Sequence, residues 1–122
     1  MGTESNQSQS LRQMRLLNRQ SEGMRIKDLE PNKPIHGLKL KIIRRYPPKY
    51  VTSKFYTGHI AAACGIDDTG IVGVVLWSLD VDTTQSGDLK KYVSGWCRLR
   101  SGRLIVSTGR TGRLIKMNGW SP

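Results

Sequence analysis

Acidic side chains are scarce in this sequence. Nine Asp or Glu stand against 20 Lys or Arg in 122 residues, giving a formal net charge of +11 and an isoelectric point near 10.2. The shortage is uneven. Pro31–Ile66 carries seven basic residues and no acid, and Leu89–Pro122 carries eight and again no acid. So one-sided a field favours a polyanion as partner over a merely solvated basic surface. An anionic membrane is the weaker form of that reading, because no long basic amphipathic helix supports it.

Other absences narrow the class. No apolar run approaches the ~20 residues that a membrane span needs, and no apolar stretch reads as the core of a signal peptide. A soluble intracellular protein is expected: cytoplasmic or nucleoid-associated in an archaeon or virus, nuclear in a eukaryote. Cys64 and Cys97 do not make a disulfide framework and are expected to be free thiols. With His36 and His59 they could supply four zinc ligands, but paired short spacings are missing. Asp67 and Asp68 fall in a turn, where Asp commonly bonds backbone, and Asp80 and Asp82 fall in a polar loop. No metal or cofactor is expected. The nucleophile-elbow, phosphate-loop and zinc-protease motifs are also missing, so an enzyme is not expected.

What is present is a series of short alternating segments. Residues 1–23 are polar and read as a flexible basic tail. Leu11, Met14 and Leu17 recur there at roughly helical spacing among Arg12, Arg15 and Arg19, which makes the tail a candidate contact for a protein partner. From Met24 the texture changes. Strands are expected at Leu38–Tyr46, Phe55–Ile66, Ile71–Trp77, Gly87–Leu99 and Arg103–Thr108. Pro47–Pro48 opens a loop to Lys54 tipped by Tyr50, Asp67–Gly70 and Ser101–Gly102 are turns, Ser78–Ser86 is a loop or short helical turn, and Gly109–Lys116 is a Gly/Arg-rich exit. Five short strands without regular strand–helix alternation point to a small all-β barrel or sandwich spanning residues 24–119.

Side-chain parity then sorts the residues, because strand neighbours point to opposite faces. Val72, Val74 and Leu76 share one side, as do Leu104 and Val106, and Cys97 and Leu99. These apolar sets belong inside, because unpaired guanidinium groups cannot be buried. Trp77, Trp96, Arg98, Arg100 and Arg103 are left together on the outside. Tyr92 shares the parity of Trp96, but an intervening bulge at Gly95 would return it to the core. Tyr46, Tyr50 and Phe55 flank the first loop, either packing the hairpin or offering rings to a ligand. Rings and guanidinium planes stack on bases, while Arg and Lys hold phosphate. The outer face therefore reads as a seat for an unpaired nucleic-acid strand.

The segments IKDLEPN (26–32), DDTGIVGVVLW (67–77), GDLKKYVSGWCRLRSGRLIVSTGR (87–110) and TGRLIK (111–116) resemble the simple OB-fold single-stranded-DNA-binding proteins of archaea and the SSB subunits of the eukaryotic sensor-of-single-stranded-DNA complex. The resemblance implies a five-stranded OB barrel with Trp77 and Trp96 stacking bases. The family usually has another aromatic where this chain has Arg100, which implies less stacking and more charge. The full expected site is Trp77, Trp96, Arg98, Arg100, Arg103, Arg110, Arg44, Arg45 and Tyr50. The expected partner is single-stranded DNA, with RNA as the alternative, in a monomer or a subunit of a small complex. A third reading is an OB scaffold whose basic face docks an acidic protein.

Overall fold

In the computed structural model, residues 23–117 are described. The N-terminal Leu/Met segment and its expected protein contact lie outside the described residues.

After a short helical turn at Ile26–Asp28, seven strands follow: β1 (Lys33–Arg45), β2 (Lys49–Thr52), β3 (Thr57–Asp67), β4 (Gly70–Trp77), β5 (Leu89–Arg100), β6 (Arg103–Ser107) and β7 (Arg113–Lys116). One helix, α1 (Leu79–Thr83), links β4 to β5. The sheet runs β1-β3-β4-β6-β5, and β1 pairs back onto β5, so five strands close into a barrel. All the pairings are antiparallel except β4 with β6. Closure removes the open sheet edges within the barrel. β2 extends the barrel as a hairpin on β3, and β7 adds to β5.

Pleat alternation builds the interior. Val72, Val74 and Leu76 of β4 are buried, as are Ile35, Leu38, Leu40 and Ile42 of β1 and Val106 of β6. Ala61 and Ala63 of β3 stand opposite Leu76 and Val74, so small residues face large ones and the inner layer fills without overpacking. Val81 of α1 and Leu29 join this core. Burial also pushes up the pKa of the Tyr92 phenol and of the Cys97 thiol, keeping both neutral.

Two parity changes let the longest strands serve two seams. Ile35 and Leu38 are both buried although three residues apart, and Gly37 between them adopts φ +66°, a conformation that favours glycine. On the facing strand, the β5–β7 register shifts between Tyr92 and Ser94. Tyr92 and Cys97 thus both point inward, five residues apart, while Trp96 points out. The parity change expected at Gly95 occurs instead between Tyr92 and Ser94, and the β1–β5 register runs unbroken through Gly95. Gly95 itself packs against Ile35, and a Cβ there would press into the Ser107 carbonyl oxygen.

Several expectations are corrected. Lys49–Thr52, read as loop, is a strand paired with Thr57–Ile60, and β1 begins at Lys33, five residues early. The exit segment contributes β7. Leu99, expected inside, is 55% exposed because it lies near the β5–β6 turn, beyond the packed interior. Phe55 precedes β3 and is not part of it.

Two stability outcomes follow. Gly95→Ala should lose about 1–3 kcal/mol by overpacking, read as a lowered midpoint in chemical denaturation. The Tyr92 hydroxyl is buried without a hydrogen-bond partner among the described residues. Tyr92→Phe should therefore be neutral or stabilising by up to about 1 kcal/mol, and a clear fall in thermal midpoint would show that the hydroxyl is bonded.

Candidate nucleic-acid interface

The outer faces of β3, β4, β6 and β5 form one surface, and the cross-strand register fixes its order. Ile60 lies opposite Trp77 and Ala62 opposite Val75. Gly73 aligns with Ile105, and Ile105 with Arg98. Trp96 stands beside Ser107, and Arg100 beside Arg103. Paired residues share a face, so apolar side chains of the middle strands make a floor and the arginines of β5 make a wall.

A groove of about 600 Å³ runs over this floor, with Trp77, Arg98, Arg100 and Arg110 among its lining residues. A second depression, lined by Trp96 and His36, shares Arg98, Gly109 and Arg110 with the first. A third, bordered by Tyr46, Pro47, Pro48 and Lys49, shares Ile60, Val75 and Arg100 with it. The three are continuous through these shared residues. No carboxylate lines any of them.

Several of the described acids are engaged elsewhere. Asp67 Oδ1 accepts hydrogen bonds from the Thr69 N–H and hydroxyl, both at 2.7 Å, and from the Gly70 N–H at 3.2 Å. Its Oδ2 accepts from the Ile26 N–H at 2.8 Å. Asp68 pairs with Arg25 at 3.3 Å, and Asp88 accepts from the Gln85 N–H at 2.9 Å. Asp67 and Asp68 thus hold the β3–β4 turn to the N-terminal helical turn. Among the described residues none of Arg98, Arg100, Arg103 or Arg110 is in an ion pair. No group of three or more His, Cys, Asp or Glu that could hold a metal ion occurs among the described residues.

The two tryptophans differ. Trp96 is 38% exposed. Trp77 is half-buried, with Tyr56 set edge-on against it at 4.9 Å between ring centroids and 85° between planes. The Trp77 indole N–H is buried without a partner among the described residues. Tyr56 is itself fixed. Its hydroxyl donates to the His59 carbonyl at 2.6 Å and accepts from the Ser78 N–H at 3.0 Å.

The expected residues divide into three groups. Trp77, Trp96, Arg98, Arg100 and Arg110 line the continuous groove. Arg103 lies beside Arg100 at the β5–β6 turn. Arg44, opposite the outward Cys64, shares the outer face and stacks 4.7 Å over the Tyr46 ring. Arg45 and Tyr50 fall apart from this set. Arg45 pairs with the inward-facing Ala63 and donates its backbone N–H to Ser86 Oγ at 3.2 Å. Tyr50 pairs with His59 and meets its ring edge-on at 5.2 Å, on the hairpin face opposite the Lys49–Ile60 pair. Lys49 therefore stands where Tyr50 was expected. Phe55, weighed from sequence as either hairpin packing or a ring for a ligand, lines the groove, and sequence reading missed its neighbour Tyr56; the only Phe standing beside a Tyr was the available signal.

No family model and no curated protein matches the chain. Solved structures do. The OB domain of a protein from Thermoplasma acidophilum matches with a TM-score of 0.64 and 20% identity, covering 81% of this chain and 90% of that one. The second OB-fold domain of replication protein A from Methanococcus maripaludis matches with a TM-score of 0.63 and 22% identity, over 81% of this chain and all of that one (100%). A replication factor A related protein from Methanobacterium thermoautotrophicum gives 0.65 and 18%, over 79% and 91%. Likeness at such identity carries architecture, not ligand. By closure, strand order and these matches, the chain has the OB fold.

Proposed function

We propose that this OB domain binds single-stranded nucleic acid, DNA first, with little sequence preference, as the simple single-stranded-DNA-binding proteins that its sequence resembles do. The observation that carries the reading is the continuous groove in which two tryptophans and three arginines meet with no carboxylate. Arg98 and Arg110 line both tryptophan-bearing depressions, so phosphates passing between the two rings meet guanidinium on the way. The apolar floor of Ile60, Val75 and Ile105 offers base faces a dry surface. Stacking tolerates any base, and phosphate contacts are blind to sequence. No titrating nucleophile enters this account; the role is binding, in replication, repair or strand protection. Two of the matching domains carry replication factor names, which supports that setting.

The tryptophan variants give the first test. Trp96→Ala should weaken binding of an oligothymidylate by about 1–3 kcal/mol with little loss of stability, since Trp96 is 38% exposed. Trp77→Ala should weaken binding similarly and also lower the unfolding midpoint, because the ring packs on Tyr56. An unchanged Kd in both would reject the stacking role.

Salt gives the second. The log–log slope of affinity against salt should flatten by about 0.7 for each phosphate contact removed in Arg98→Ala, Arg100→Ala and Arg110→Ala, measured by anisotropy. Arg45→Ala should leave the slope unchanged. Matched DNA and RNA oligonucleotides in competition decide the sugar preference. Binding of neither at low salt would leave the acidic-protein scaffold as the function.

A further inference from the structure

The two most exposed large apolar side chains of the described residues are Phe55, 79% exposed, and Leu79, 75% exposed. They are remote in sequence, and the fold brings their chain neighbours together. Each is the chain neighbour of one partner in the Tyr56–Ser78 hydrogen bond, 3.0 Å between the hydroxyl oxygens. Of the two, Phe55 lines the groove beside Tyr56, Trp77 and Ser78, and it forms the apolar rim of the groove at that end.

The rim is held rather than floppy. Ser53 Oγ accepts from the Phe55 N–H at 3.3 Å and the Tyr56 N–H at 3.0 Å, and the Ser53 N–H donates to the Tyr56 carbonyl at 2.8 Å. Tyr56 is tied in turn to His59 and Ser78. The backbone that carries Phe55 is thus fixed, and its exposed ring gains by stacking on a flat apolar face.

We infer that this rim caps the end of a duplex where the bound single strand emerges from it, with Phe55 stacked on the terminal base pair. The inference rests on the proposed single-strand groove. Bases must be unpaired to lie on the floor against Trp77, so pairing resumes no earlier than the rim. What meets the rim there is the flat apolar face of a base pair flanked by phosphate. Phe55 is a flat apolar partner, and Lys54 beside it is cationic. Apolar wedges set against base steps are a recurrent device of DNA-binding proteins. A protein partner would leave the rim's position beside a carboxylate-free groove without a reason.

The test compares a 3′- or 5′-tailed DNA duplex with the isolated tail, using full-length protein and 2-aminopurine in the terminal base pair. The wild type should bind one tailed duplex about fivefold more tightly than the tail alone, the lower end of the contribution of a base stacked on an aromatic ring, and should change the junction fluorescence. Phe55→Ala should abolish both effects, so that its loss of affinity is about fivefold greater on the tailed duplex than on the tail, and Phe55→Trp should restore them. Equal affinity for tailed duplex and tail in the wild type overturns the inference and leaves the rim to a protein contact. An equal loss on both ligands in Phe55→Ala also overturns it, and makes Phe55 an ordinary groove platform. If the wild type binds neither ligand, it is the single-strand reading that fails. Phe55 is too exposed for its truncation to unfold the domain, and an unchanged thermal midpoint checks this.

Discussion

The backbone of β5 comes so close to β1 and β6 at Gly95 that no side chain fits, and the outer surface depends on this approach. Gly95 touches Ile35 on one strand and the Ser107 carbonyl on the other. With Gly95 and Cys97 turned inward, Trp96, Arg98 and Arg100 have no choice but to face out. The bulge just before it then gives Tyr92 back to the core. One strand thereby supplies the largest fully buried side chain of the described residues and the arginine wall of the groove. A larger residue at 95 would disturb the core and the interface together.

Charge segregation works with that geometry. Asp67 saturates its two oxygens on backbone and a threonine hydroxyl within the β3–β4 turn and the preceding helical turn. Asp68 is engaged by Arg25. Asp67 and Asp68 thus brace the fold away from the groove, and among the described residues the arginines of β5 are in no ion pair. In an apolar-floored cleft with one sign of charge on its walls, field lines concentrate and the association of a polyanion is steered.

Much of this was legible in the sequence. Strict alternation in Ile71–Trp77 and Arg103–Ser107 sorted inside from outside correctly, and the acid-free stretches contain the groove-lining residues of every strand except β4. The missing parts have physical reasons. β2 follows two prolines and is only four residues long, so nothing local separates it from a loop; its partner strand makes it a strand. β7 carries Arg113 and Lys116 at its ends and reads as a tail until β5 is there to pair with it. Tyr50 and Lys49 are a register question, and register in a hairpin is set by a turn whose geometry depends on Ser53 side-chain bonds. Leu99 shows the limit of parity: it predicts a side, but not whether the barrel still has an interior at that height.

The first strand has two partners, and the second of them lies far along the chain. Lys33–Lys41 of β1 pairs with Leu89–Cys97, so this seam cannot form until more than half of the domain has been synthesised. Until then β1 has an unsatisfied edge and the apolar sides of β1, β3 and β4 lack their cover. Closing so distant a pair demands chain entropy before any contact rewards it. Folding of this domain is therefore expected to be a single late event, with no groove assembled on a partial chain. During translation the nascent polypeptide, rich in cations and with its hydrophobic strands still bare, is most vulnerable to association with its neighbours.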